Sequence, residues 1–146
     1  MRISAKCRYG IAALIALESY HKDTLTSIIK ISEDLLISKI YLEQVFGKLK
    51  HAGIILSVKG SAGGYKLARS AEEISLADIV NALDDSINEH SYETVRERAP
   101  DIDAVINESF MSLDKTIQKT LTEISLESLI EKANEKKSDQ AYMFYI

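Results

Sequence analysis

Ser38, Tyr41, Glu43 and Gln44 stand within the seven consecutive residues SKIYLEQ. A glutamine amide can pair with adenine through two hydrogen bonds, and a serine or tyrosine hydroxyl can reach a base edge or a phosphate. Glu43 repels phosphates, so facing a groove it would select, by accepting from cytosine; it serves equally well as half of a surface ion pair. Tyr41 and Leu42 also fit a plain core role. Arg8, Lys39, Lys48, Lys59 and Lys66 suit phosphates, which supply affinity without sequence information, although any one of them fits a solvated face too. Gly60, Gly63 and Gly64 lie in KGSAGGYK, where glycine permits positive φ and close backbone approach.

Other chemistries find little support. The histidines, His21, His51 and His90, are scattered, with His21 and His51 placed to cap helix C-termini. The glycine cluster sits between two β-prone stretches instead of opening a helix, so it is no phosphate loop, and an enzyme is not expected. Cys7 is the single cysteine. It excludes a disulfide framework, cannot by itself build a zinc or iron–sulfur site, and reads as a small buried hydrophobe more than as a redox sensor. No apolar run approaches the roughly 18 residues of a membrane span. MRISAKCRYG lacks a small-residue cleavage site, so a cytoplasmic location away from membranes is expected.

The 146 residues suffice for one domain or a small domain with an appendage. Their net charge of −4 conceals an asymmetry: residues 1–70 hold eleven Lys and Arg against five Asp and Glu, a balance of +6, and residues 71–146 hold seven against seventeen, a balance of −10. A basic half joined to an acidic half suggests a polyanion-binding module attached to something else.

These residues need elements to hold them. Ile11, Leu14, Ile15 and Leu17 recur with helical spacing and predict a first helix over 4–21. Thr26 is placed to cap a short second helix, and Ser38 a third, KIYLEQVFGKLKHA, closed by Gly53. Two short helices joined by a few residues fit a helix-turn-helix. Residues 54–59 and 65–68 predict a hairpin tipped by GSAGG. Ser75 and Asp78 form a near capping box for a helix ending near Asp84. After an aperiodic stretch, Pro100 with Asp101 as N-cap opens a long helix. On it Ile102, Ile106, Phe110, Leu113, Ile117, Leu121 and Ile124 make a narrow seam suited to pairing with a second helix. SLESLIEKAN predicts a last short helix before the charged stretch 134–140 and the apolar end AYMFYI.

In this order, with KCRYG, YLEQVFGKLKHAGII, SVKGSAGGYKLAR and ISLADIV, the chain resembles the Rrf-type winged-helix repressors, the IscR/CymR family. The likeness is close over residues 1–84 and by pattern over the long helix. It implies a mainly α fold with a small β-hairpin: a winged helix-turn-helix DNA-binding domain over 1–84, a loop and long dimerisation helix over 85–133, and a charged linker with an apolar tail over 134–146. It implies a homodimer on double-stranded DNA with a palindromic operator, its recognition helices in successive major grooves and its wings on the minor groove or backbone. Ile106, Phe110, Leu113, Ile117 and Leu121 would then form the dimer seam.

Many members carry three cysteines in the loop before the long helix and hold an iron–sulfur cluster there. DDSINEHSYETVRERAPD has none, so no cofactor is expected. Where the family often has Gly or Asn at the helix-turn-helix turn, this chain has Leu36, and a left-handed conformation there would cost about 1 kcal/mol. Gly47 inside the recognition helix costs a similar amount, about 1 kcal/mol against alanine.

A cluster-free member ending in AYMFYI resembles the CymR branch, repressors of cysteine metabolism genes. Repression of such genes is therefore the expected function; the alternatives are a cluster-free regulator of another pathway, or an interaction module that mainly inhibits an enzyme. That branch is thought to work with cysteine synthase, which recognises the C-terminal isoleucine of serine acetyltransferase. Tyr142, Phe144, Tyr145 and Ile146 are the residues this partner would take. The other reading is domestic, with the tail filling a groove on the dimer itself.

Overall fold

The computed structural model describes residues 3–20, 24–84 and 95–145. The expected places of His21, His90 and Ile146, and most of the cysteine-free loop, lie outside them. The described elements are α1 (Ala5–Tyr20), α2 (Ile28–Leu35), α3 (Lys39–His51), β1 (Ile55–Val58), β2 (Gly64–Leu67), a 3-10 turn (Ala71–Glu73), α4 (Leu76–Leu83), α5 (Pro100–Glu123) and α6 (Leu126–Phe144). This is a mainly α fold with one antiparallel hairpin, the winged helix-turn-helix expected from the sequence.

Helix ends follow short-range chemistry. Ser38 Oγ accepts from Tyr41 N at 3.2 Å, and Ser75 and Asp78 complete a reciprocal capping box at 3.1 and 2.9 Å. Gly53, at φ 70°, ends α3 in the left-handed region, after a last turn rich in Lys48, Lys50 and His51 that suits the dipole. At α2 the cap is Ser27, which accepts from Lys30 N, and not Thr26. Thr26 is committed elsewhere: its N–H and C=O pair with Tyr65 at 2.9 Å each, an isolated bridge that sets a third chain segment beside the hairpin. Pro100 itself takes the first helical position of α5, where its missing N–H costs nothing, so Ala99 and not Asp101 is the cap residue.

Helices α1 to α4 enclose a core that includes Leu14, Leu17, Ile31, Leu42, Phe46, Leu49 and Ile79, all essentially inaccessible. Each such side chain contributes about 1.5–3 kcal/mol of burial. Gly10 lets α1 cross α3 and α4 closely, because a Cβ there would meet Leu83 Cδ1 at 2.2 Å. Asp84, buried at the end of α4, accepts from Ser4 N at 3.0 Å, while Ser4 Oγ accepts from Cys7 N. The start of α1 is thus capped from across the core. Tyr20 donates to Asp34, Lys30 pairs with the same carboxylate at 3.1 Å and lies over the tyrosine ring, tying α1 to α2. Burial, with the Asp34 hydrogen bond and charge, pushes the Tyr20 hydroxyl up to about 12.

Leu36 closes α2 at φ 52°, ψ 40° and is 93% exposed. Ser32 holds the turn: its carbonyl accepts from Ile37 N at 3.2 Å and its hydroxyl donates to Ile37 O at 2.6 Å. Leu36→Gly removes the strained β-carbon, worth about 1 kcal/mol, and returns part of that as unfolded-chain entropy. The expected outcome is a melting temperature raised by about 2 °C in differential scanning calorimetry.

The C-terminal third departs from expectation. The junction of α5 and α6 is clamped to the start of α4 by Leu76 N to Ile124 O (2.7 Å) and Leu126 N to Ile74 O (2.8 Å), and Leu126 and Ile130 are buried against the N-terminal domain. From there α6 continues to Phe144, so the stretch 134–140 is helix and not a linker. Glu135, Lys136, Lys137 and Gln140 are good helix formers, the stretch holds no Gly or Pro, and a polar circumference hides the helix from periodicity.

Candidate nucleic-acid interface

Helix α3 turns Leu42, Val45, Phe46 and Leu49 into the core, leaving Lys39, Ile40, Glu43, Gln44 and Gly47 exposed. Gln44 therefore presents a free amide on the outer face. Ser38, also exposed, spends its oxygen on the cap, which leaves its hydroxyl proton to donate. Glu43 Oε1 stands 3.5 Å from Lys39 Nζ, with both side chains about half exposed. The surface ion pair is thus made, worth about 0.3–0.5 kcal/mol, and it balances the lysine closest to the helix start. Tyr41 is half-buried, its ring edge-on to Tyr9 at 5.7 Å, and it supports α3 on α1. Its partner Tyr9 gave no periodic signal of its own, because it sits at the rim of the apolar face of α1.

The wing is a four-residue ladder running from Ile55 opposite Leu67 to Val58 opposite Gly64. Gly63 and Gly64 are required by contact: a Cβ on the first would lie 2.1 Å from Val58 O, and on the second 2.7 Å from Thr26 O. Gly60 adopts φ 112° with open space around it. Tyr65 is the anchor, its ring at 4.9 Å and 73° to Phe46. Lys59 and Gly60 are exposed at the tip, and Lys66 is half-buried opposite Leu56. Arg69, beside the hairpin, is used inside the domain: it binds Glu73 O at 2.7 Å and Asp78 at 3.1 Å. Arg8 is exposed on α1, and Lys48 is half-buried on α3. The residues the sequence singles out thus divide into an outward polar face on α3, a basic wing tip, Arg8 apart on α1, and the half-buried Lys48 and Tyr41, while Tyr65 supports the wing.

Of the proposed seam, Leu121 is buried in the chain's own core and Ile117 packs partly against it. Both face inward because α5 returns to the domain at its C-terminal end. Ile106, Phe110 and Leu113 are exposed, together with Ile102, Val105 and Met111.

Cys7 is fully buried, and burial, with the Asp84 charge second, pushes its thiol up to about 11. It is a protonated core side chain at neutral pH. The described residues hold no cluster of three or more His, Cys, Asp or Glu able to hold a metal, and no helix among them is long and apolar enough to cross a membrane. One cysteine, itself in the core, does not fit a thiolate-held iron–sulfur cluster.

The sequence pattern of the Rrf2 family, described as an iron-dependent transcriptional regulator, matches residues 3–132. The HTH-type transcriptional regulator CymR of Bacillus subtilis (strain 168) is 31% identical over 146 residues, all of both chains. The solved structure of CymR, the global cysteine regulator of B. subtilis, superposes with a TM-score of 0.71 at 28% identity, covering 90% of this chain and 98% of that one. T. potens IscR gives 0.74 at 30% identity, covering 99% and 97%. A helix-turn-helix with an outward polar face on α3, a glycine-tipped basic wing and likeness along its whole length place this chain in the Rrf2 family of DNA-binding transcriptional regulators.

Proposed function

We propose that the protein is a homodimeric, sequence-specific repressor of cysteine and sulfur metabolism genes, with activity modulated by cysteine synthase. The observation that carries this reading is the end-to-end similarity to a regulator described as the global cysteine regulator of its organism, combined with an aromatic end that stands exposed. Gel shifts of the purified protein on promoters of cysteine and sulfur-uptake genes test it against unrelated promoters. Equal affinity for both sets would move the protein to another pathway. Absence of DNA binding beside tight enzyme binding would make it an interaction module.

Within this reading, Gln44 reads a base and Lys59 touches phosphate. Gln44→Ala should stay folded yet lose about 1–3 kcal/mol of discrimination at one symmetric base position. Lys59→Ala should weaken binding to all sequences alike and reduce the salt slope by about one. Competition titrations at several salt concentrations separate the two. An unchanged base preference in Gln44→Ala would reverse the orientation given to α3.

The regulator is also expected to work without bound iron. Purified protein should be colourless, carry no stoichiometric iron by elemental analysis, and bind its operator equally well when prepared with or without oxygen. A visible absorbance band that tracks iron content would refute this.

A further inference from the structure

One side chain on the outward face of α3 is explained neither by the fold nor by the polar contacts assigned above. Ile40, in the first turn, is 71% exposed and takes no part in the core or in the layer packed on it. Isoleucine is a poorer helix former than the Lys or Glu that surface positions commonly carry, so the helix gains nothing from it. Residues 40, 44 and 47 are spaced to share one face, and all three are exposed. At Gly47 no atom lies within 4 Å of where a Cβ would stand. A glycine in mid-helix weakens it relative to alanine, and the packing of this chain does not ask for one.

A single exposed isoleucine on an ordinary surface needs no explanation. This one lies beside Lys39 and one turn before Gln44, on the face that meets base edges. In the major groove the apolar feature of a base is the C5-methyl of thymine. A β-branched side chain in a helix is held to one χ1 rotamer, so Ile40 offers its methyl groups in a fixed direction with little freedom left to lose.

We propose that Ile40 reads a thymine methyl in the major groove, next to the base pair taken by Gln44, while the bare backbone at Gly47 lets the same face approach the DNA closely. This inference rests on the DNA-binding reading of α3. It makes thymine the favoured base at one position of each half-site, with cytosine, which lacks the methyl, disfavoured there.

The test uses the full-length protein. Its preferred duplex is selected from a randomised library, and each thymine of the half-site is then replaced in turn by deoxyuridine, which keeps the pairing edge and removes the methyl. Titrations compare wild type with Ile40→Ala, whose melting temperature should be unchanged because the side chain is exposed. One symmetric deoxyuridine pair is expected to weaken wild-type binding about five- to fifteenfold, and to leave Ile40→Ala nearly indifferent. Binding by wild type that is indifferent to every methyl, or an equal methyl dependence in both proteins, overturns the proposal while the Gln44 reading stands. A library that yields no enriched sequence overturns the DNA reading of α3 and this proposal together.

Discussion

Phe110→Asp combined with Leu113→Asp should convert the protein to a monomer and weaken operator binding by about 100-fold or more. Phe110 is 62% and Leu113 52% exposed, and Ile102, Val105, Ile106 and Met111 share the same uncovered stretch of α5. Within the chain α5 packs on α4, and its inward residues are already spent on the core, Leu121 fully and Ile117 in part. Six large apolar side chains on one helix exceed what a lone subunit leaves to water without use. Paired with a second copy across a twofold axis, each buried side chain contributes up to about 1.5–3 kcal/mol. Two carboxylates per subunit in that contact would instead leave charges without partners, at a cost of several kcal/mol. The DNA consequence follows from effective concentration: a linked pair of half-site readers gains about 10²–10⁴ over separate monomers. Light scattering gives the mass and a gel shift the affinity; a dimer that survives both substitutions would move the interface off α5.

How legible this was in the sequence depended on the range of the interactions involved. Ser38, Gly53 and the Ser75–Asp78 box act over three or four residues, and the structure uses them as the sequence suggests. Where a residue had two local uses, tertiary pairing decided: Thr26 has a capping side chain, yet its backbone is taken by Tyr65 and Ser27 caps instead. The seam on α5 shows the same limit. Ile106, Phe110, Leu113, Ile117 and Leu121 follow one period, but the clamp between Ile74, Leu76 and the α5–α6 junction turns its C-terminal end into the core, and no periodicity encodes that clamp. The polar half of α6 was hidden for the opposite reason, since a helix with charges all round has no pattern to detect. Ile40 carries no outward signal in the sequence, since an apolar residue beside Tyr41 and Leu42 is equally compatible with a core, and only the orientation of α3 shows that it is exposed.

The helical end of α6 shapes the second large effect: deleting Tyr145 and Ile146 should abolish binding of cysteine synthase, with a loss of about 100-fold or more, while dimer mass, melting temperature and bare operator affinity stay nearly unchanged. Ile130 is the last buried residue of α6, and Tyr142, Met143, Phe144 and Tyr145 beyond it are 74–92% exposed. At 1.5 Å per residue the helix carries Phe144 about 20 Å past Ile130, clear of the subunit's body. A large enzyme can close on such an end without colliding with the domain, and a helix has far less freedom to lose on capture than a flexible linker. Capture of such a segment combines backbone donors on the partner with pockets for side chains, here those of Tyr142, Phe144 and Tyr145. O-acetylserine, competing for the same pocket as the synthase's substrate, should then release the complex in a titration, which would make the regulator responsive to cysteine supply. The domestic reading predicts the reverse pattern. If the aromatic end instead fills a groove on the second subunit, the truncated protein will melt several degrees lower and lose dimer mass, and the intact protein will show no synthase binding in calorimetry.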